Sequence, residues 1–354
     1  MRPAAFPSAV VVLLALGALL VAGGAPATPT ATAVMSGLDN PRGLAFGPGH
    51  ALYVAEAGKG GTGACMVLRG ANQCVGATGA VSRLRKGVQE RVVTGLPSYA
   101  PQPSGAGATG PHDVGLKGGK GYVVVGLGAD PSARAVLGNG FGHLVRFKKK
   151  GGWKLSTDIA AYEASANPGG GIVESNPHGL LVGGGGRLLV TDAGGNDLLL
   201  LRHKNAISTV AVFPSRAQGR ATDSVPTAVT RGPGKAYYVS ELTGVPFAVG
   251  AADVYRVVPG QAPQIFLTGF TALIDLEFAP DGSLYVLEHA TGPGLSGPGD
   301  IIRIAPNGAR TTVFTGLTSP TSLLLQARGK KVEAIYVSNR GTSAGTGEVL
   351  RIQP

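Results

Sequence analysis

A single unit recurs six times along this chain: Pro, two variable residues, an apolar strand, a Gly-rich turn, and a second apolar strand closing on an acid. It reads Pro41-Arg-Gly-Leu-Ala-Phe46, Pro111-His-Asp-Val-Gly-Leu116, Pro177-His-Gly-Leu-Leu-Val182, Pro226-Thr-Ala-Val-Thr-Arg231, Leu273-Ile-Asp-Leu-Glu-Phe278 and Pro320-Thr-Ser-Leu-Leu-Leu325. Fifteen residues beyond the first member of each copy stand Glu56, Gly126, Asp192, Glu241 and Glu288, and the sixth copy reaches Asn339 after four extra residues. With only 20 acidic residues in 354, that register is hard to obtain by accident. Strand-rich repeats of roughly 40 to 50 residues are the signature of radial stacking, so the spacing predicts an all-β fold, a six-bladed β-propeller of four-stranded antiparallel blades.

Each copy resolves into four strands. In the first they run over 43–46, 51–55, 80–84 and 91–94, short, apolar or alternating, and separated by Gly, Pro or Asn. No convincing amphipathic helix stands out beyond the N-terminal segment. The third strand carries an arginine in every copy (Arg83, Arg146, Arg202, Arg256, Arg303, Arg351). Its planar fork suits bonding to carbonyls or to an acid of the neighbouring blade; a ring of ligand-binding arginines is the alternative. A recurring fourth-strand tail (Val92-Val-Thr-Gly-Leu96, Ile265-Phe-Leu-Thr-Gly-Phe270, Val313-Phe-Thr-Gly-Leu317) is missing from the sixth copy. Its counterpart, Ala33-Val-Met-Ser-Gly-Leu38, stands ahead of the first copy. The ring is therefore expected to close by pairing that segment beside Val349, which leaves no open sheet edge. Blades then fall at about 39–96, 97–163, 164–213, 214–270, 271–317 and 318–354, the last completed by 31–38.

Arg2, an apolar run over 10–22 and the small residues Ala25-Pro-Ala27 fit a secretory signal peptide over 1–27, with the propeller over 28–354. Cleavage is expected after Ala27, because cutting after Ala33 would trim the closing strand. A retained anchor is the alternative reading of the run, which is short for a bilayer span, and no later stretch is long enough for a transmembrane segment. Export would place Cys65 and Cys74 where disulfides persist, and they are expected to bond to each other; a thiolate metal pair lacks a second Cys or His pair at suitable spacing. The formal charge of +11 favours anionic wall polymers, lipid headgroups or polysaccharide. Nucleic acid is not expected, since the one dense basic run, Lys148 to Lys150, reads as a hairpin turn without interleaved aromatics.

The pattern as a whole resembles NHL-type six-bladed propellers and, more narrowly, the ScyD/ScyE family of exported propellers. Residues that carry the likeness are Gly37-Leu-Asp-Asn-Pro-Arg-Gly-Leu44, Gly110-Pro-His-Asp-Val114, Ser175-Asn-Pro-His-Gly-Leu180 and Asp223-Ser-Val-Pro-Thr227. The resemblance covers essentially everything after the signal. It implies fold and export, and it brings no settled catalytic residues.

An antiparallel first and second strand put the start of one and the end of the other on the same rim. Glu56, Asp192, Glu241, Glu288 and Asn339 are thereby expected to share a face with His112, Asp113, His178 and Asp275. Long connections gather on that rim and short turns on the other, which makes the long-loop face the expected site for a small molecule, glycan or protein. The acids there would favour a cation or amine-bearing ligand. The opposite face, with Arg85-Lys86, Lys148 to Lys150 and Arg202-His-Lys204, would meet an anionic cell-surface polymer. The five oxygen-bearing residues could ligate Ca2+, as in a metal-dependent lactonase or hydrolase of the gluconolactonase-like kind, or could be structural acceptors of backbone N–H bonds. His112 and His178, at matched positions, are candidates for a metal pair or an acid–base couple with Asp113, and His289 is a weaker one. No Gly-x-Ser-x-Gly elbow, Walker loop or His-Glu-x-x-His helix occurs. Two functions remain: an exported binding or scaffold module, and a hydrolase with a central metal.

Overall fold

The computed structural model describes Met1 and residues 29–148, 152–202, 205–217 and 221–354. The signal segment, its cleavage point, Lys149-Lys150 and His203-Lys204 lie outside the described residues. Six antiparallel sheets are arranged as blades, each with its first strand innermost: Pro41–Phe46, Pro111–Lys117, Pro177–Val182, Pro226–Arg231, Leu273–Phe278 and Ser322–Arg328. Each of these six packs against the inner strands of both neighbouring blades, so the ring is closed around a channel. Thr30–Leu38 forms the outer strand of the last blade, with Ala33 opposite Leu350 and Met35 opposite Val349. One blade thus contains both ends of the described propeller.

The blades are held by apolar side chains facing across their interfaces. Val54, Val123, Val190, Val239, Val286 and Val337, at the centre of each second strand, are completely buried. β-branched residues are favoured there because their stiff side chains fit a pleated surface covered on both sides, and each contributes roughly 1.5–3 kcal/mol by burial.

Two features depart from the simple repeat. In blade 1 the third and fourth strands, Ala71–Arg85 and Val88–Pro101, run far beyond the blade, and Cys65–Leu68 pairs with the first of them. The result is a projecting hairpin closed by the Cys65–Cys74 disulfide, as expected. Short helices also occur in the long loops, Arg134–Leu137 and Ile159–Ala166, where the sequence shows no amphipathic period; the second is capped by Asp158, which accepts from Ala161 N. Eight residues, apolar on several sides, are too few to produce a readable helical stripe.

Three of the third-strand arginines bond within their own blades. Arg83 pairs with Glu90, Arg202 with Ser208, and Arg303 with Asp281, all near the short-turn rim. None of these three bonds reaches the neighbouring blade.

Candidate functional site

An inner strand is a sheet edge, and its unpaired N–H and C=O groups face the channel. Side chains at the two ends of the channel satisfy them in opposite ways. At the long-loop end the second residue of each repeat forms a ring: Arg42, His112, His178, Thr227, Ile274 and Thr321. Its polar members donate to backbone carbonyls of the following blade or of the approach to it. Arg42 Nη2 is 2.9 Å from Ala108 O, His112 Nδ1 3.0 Å from Pro177 O, and His178 Nδ1 2.9 Å from Thr227 O. Thr227 Oγ1 is 3.0 Å from Leu273 O, and Thr321 Oγ1 2.7 Å from Pro41 O, which closes the circle. Ile274 has nothing to donate. There His289, just after the second strand of blade 5, substitutes with Nδ1 2.9 Å from Pro320 O. Every junction between blades is bridged at this level.

A carbonyl can only accept, so each of the three imidazoles carries a proton on Nδ1 and, when neutral, presents an Nε2 lone pair. Burial, with help from His178 and Arg42, holds His112 well below the usual imidazole range. Burial takes His178 down to about 4, and lowers His289 as well. All three are therefore uncharged at neutral pH. The His112 and His178 rings lie 5.0 Å apart, and Arg42 acts electrostatically on all three.

Burial and the neighbouring Arg69 lower the Arg42 guanidinium to about 10, which leaves it charged at neutral pH. Its Nε is buried without a partner among the described residues. Arg69 stands at the tip of the disulfide-closed hairpin, where its Nη2 donates to Tyr99 OH (2.8 Å) and Thr109 Oγ1 (2.9 Å). Neither arginine forms an ion pair with a described carboxylate, although Arg69 lies within electrostatic reach of Glu174.

At the other end, carboxylates cap backbone N–H groups. Asp113 Oδ2 accepts from Leu180 N at 2.7 Å, and Glu277 Oε2 from Leu325 N at 2.7 Å. Asp275 Oδ2 accepts from Ser322 Oγ at 2.7 Å and Leu323 N at 2.9 Å. They line a channel cavity of about 250 Å³ open toward the short turns. Burial is the leading cause that raises Asp275 to about 6 and Glu277 to about 8, and it takes Asp113, repelled also by Asp275, well above the carboxylate range. Gly43 is required here, since a Cβ on it would fall 1.9 Å from Asp113 Oδ1.

The five candidate calcium ligands are placed at the long-loop rim but are not brought together. Each holds the segment that leads into its own inner strand. Glu56 accepts from Asp39 N (2.8 Å) and Ser82 Oγ (2.5 Å) and pairs with Arg91 (2.7 Å). Asp192 accepts from Ser175 Oγ (2.6 Å) and Asn176 N (2.5 Å), besides Gly194 N and Gly195 N. Glu241 accepts from Ser224 Oγ (2.8 Å), Glu288 from Thr271 N (2.7 Å), and Asn339 Oδ1 from Thr318 N (2.8 Å). All five are buried. Among the described residues no group of three or more His, Cys, Asp or Glu is arranged to hold a metal ion, and these five do not fit Ca2+. In blade 2 the slot is lost because Gly126 must admit His112, whose Cε1 would be 2.2 Å from any Cβ there.

Two further expectations are corrected. Asp113 does not couple to His112, and Asp275 is not at the mouth: one residue further along an inner strand, a side chain turns into the channel instead. The distribution of charge is also reversed at the axis, with guanidinium groups at the long-loop mouth and carboxyl groups toward the short turns. Sequence reasoning missed Arg42, Arg69, Thr227 and Thr321. The first, third and fourth were legible as the position following the repeat's first residue. It also missed the acids at the start of two third strands, Asp197 and Asp300, which stand opposite the second-strand acids Asp192 and Glu288. Burial and the neighbouring Asp192 and Glu163 raise Asp197 well above the carboxylate range, and burial raises Glu163 to about 7.

No family model matches the sequence, and no curated protein matches it. Solved structures do resemble it. A provisionally assigned glucose dehydrogenase from Thermus thermophilus is 16% identical, with TM-score 0.57 over 92% of this chain and 99% of its own. A provisionally assigned gluconolactonase is 13% identical, with TM-score 0.54 over 93% of each chain. Virginiamycin B lyase from Staphylococcus aureus is 12% identical, with TM-score 0.51 over 92% and 99%. At such identities the likeness defines the class alone: a six-bladed propeller of the architecture shared by lyases, lactonases and sugar dehydrogenases.

Proposed function

We propose that the protein is an exported binding propeller of the ScyD/ScyE type that holds a small molecule, glycan or protein segment at the long-loop mouth of its channel. The observation that carries this reading is the mouth cluster itself: three imidazoles fixed by their Nδ1–H groups with Nε2 left over, around an arginine with an unpartnered Nε. Polar groups oriented by the backbone and left with unused capacity are what a recognition site needs. Export rests on the signal pattern, and the Cys65–Cys74 disulfide is compatible with it. On the opposite face Lys120, Arg146, Lys148 and Lys154 surround a cleft of about 500 Å³ with Phe147 and Trp153, which suits an anionic cell-surface polymer. The lactonase reading draws no support from Glu56, Asp192, Glu241, Glu288 and Asn339, each of which already accepts a hydrogen bond from the segment leading into its own inner strand.

Ligand-observed NMR with a library of small acids, sugars, amines and aromatic fragments tests the assignment. Binders are expected whose signals are lost in His178→Ala and kept in Lys120→Glu. A set indifferent to His178 and abolished by Lys120→Glu would move the site to the other face and sink the reading.

A further inference from the structure

The mouth is chemically lopsided in a way that specifies its ligand. Arg42 and Arg69 are donors, each using only part of its five N–H capacity on neutral partners, and neither is neutralised by an ion pair with a described carboxylate. The three imidazoles are the reverse: with Nδ1 committed to a carbonyl, each offers only an acceptor. A ligand that satisfies both sets must carry an anionic acceptor for the guanidinium groups and hydroxyl donors for the Nε2 atoms. We propose, resting on the mouth being the binding site, that it takes a hydroxylated carboxylate of the sugar-acid class. An amine-bearing ligand would face two cations that no described carboxylate ion-pairs and would supply no acceptor for either.

The hairpin explains how the second cation is delivered. Arg69 and Gly70 form the turn between Cys65–Leu68 and Ala71–Arg85, and the Cys65–Cys74 pair closes the far end of that short ladder. Cys74 lies opposite Ala100, and Val75 opposite Tyr99. The ring of Tyr99 lies under the Arg69 guanidinium, 5.8 Å from its centroid, while Tyr99 OH donates to Leu127 O (2.5 Å). The disulfide therefore holds the register that sets Arg69 beside Arg42. A blade-1 insertion so long and so braced has no counterpart among the described residues of the other blades, where the connections between second and third strands are loops or short helices.

Isothermal titration of the mature protein at fixed ionic strength with glucuronate, propionate, methyl glucoside and glucosamine tests this. Glucuronate is expected to bind at least about tenfold more tightly than propionate, which lacks hydroxyls, and than methyl glucoside, which lacks the charge. Arg69→Gln is expected to weaken glucuronate by about tenfold while leaving methyl glucoside unchanged, and the Cys65→Ser, Cys74→Ser double variant to weaken it in the same direction. Arg69 is exposed, so its replacement leaves the fold intact. Glucosamine binding more tightly than glucuronate, or glucuronate binding indifferent to Arg69, overturns the proposal. If methyl glucoside or glucosamine binds in a His178-dependent way while both acids do not, the mouth survives as a site and only the sugar-acid assignment falls. If none of the four binds and no library compound depends on His178, both fall together.

Discussion

The two ends of the channel solve one problem with opposite chemistry. At the long-loop end, exposed carbonyls of the inner strands receive hydrogen bonds from imidazole, hydroxyl and guanidinium donors; at the short-turn end, exposed N–H groups are received by carboxylates. Both arrangements remove the hazard of an unpaired inner edge. They leave different residues of capacity. A carboxylate that accepts two or three protein donors in a narrow channel has little left to offer, whereas a neutral imidazole pinned through Nδ1 still has its second nitrogen. Position along the same strand thus separates a structural end from a recognition end.

The largest effect expected from breaking this division is at Asp275. Replacing it with Ala strands Leu276 N, Leu323 N and Ser322 Oγ in the channel wall, which is expected to cost about 2–4 kcal/mol in urea unfolding, while Asp275→Asn, with one acceptor oxygen instead of two, restores only part of it. A loss below about 0.5 kcal/mol would mean that water replaces the carboxylate freely and that the end is not built as described.

Acidity separates the two ends more finely. His178 is lowered from 6.5 to about 4, so the folded state binds its proton more weakly than the unfolded chain, and its contribution to stability is lost as pH falls from about 6.5 toward 4. Asp275 and Glu277 are raised to about 6 and about 8, so the folded state favours their protonated forms, and that contribution is lost as pH rises through those values. The two contributions oppose each other between about pH 4 and 6.5, and above that only Glu277 still titrates, so melting temperature should fall from about pH 6.5 to 8. Relative to wild type, His178→Gln is expected to gain stability toward pH 4 and Glu277→Gln toward pH 8, each by about 1–2 kcal/mol. Identical profiles for wild type and both variants would erase the distinction between the ends.

The smallest effect is expected at the junction that closes the ring. Thr321→Val removes the bond to Pro41 O at nearly constant shape and should cost about 1 kcal/mol, with Thr321→Ser near wild type. A Val variant as stable as wild type beside a weakened Ser variant would show that the methyl, not the hydroxyl, matters there.

Much of the architecture was legible because it is local and repeated. The Pro-led unit predicts inner strands at the observed positions, the displaced Val-Met-Ser-Gly-Leu tail predicts the pairing of Met35 with Val349, and the two close cysteines predict the disulfide. The blade-1 hairpin was not legible, since its strands continue through Gly76 and Gly79, residues that ordinarily end a strand. The acid at the end of each second strand was visible as a repeat. Its role was not, because a carboxylate ready for a cation and one already holding a serine and a backbone N–H have the same letter.

From its letters alone, this chain determines that there are six equivalent modules, where each begins, and which end of the sequence completes the last one; periodicity and strand alternation carry that information without any three-dimensional knowledge. Only the folded ring decided that Arg42, Arg69, His112, His178 and His289, drawn from blades far apart in sequence, meet at one mouth, and that Asp113 and Asp275 turn away from it. The reason is that a side chain's chemistry depends on what its neighbours have already satisfied, and in a closed ring those neighbours come from the next blade rather than from the next residue.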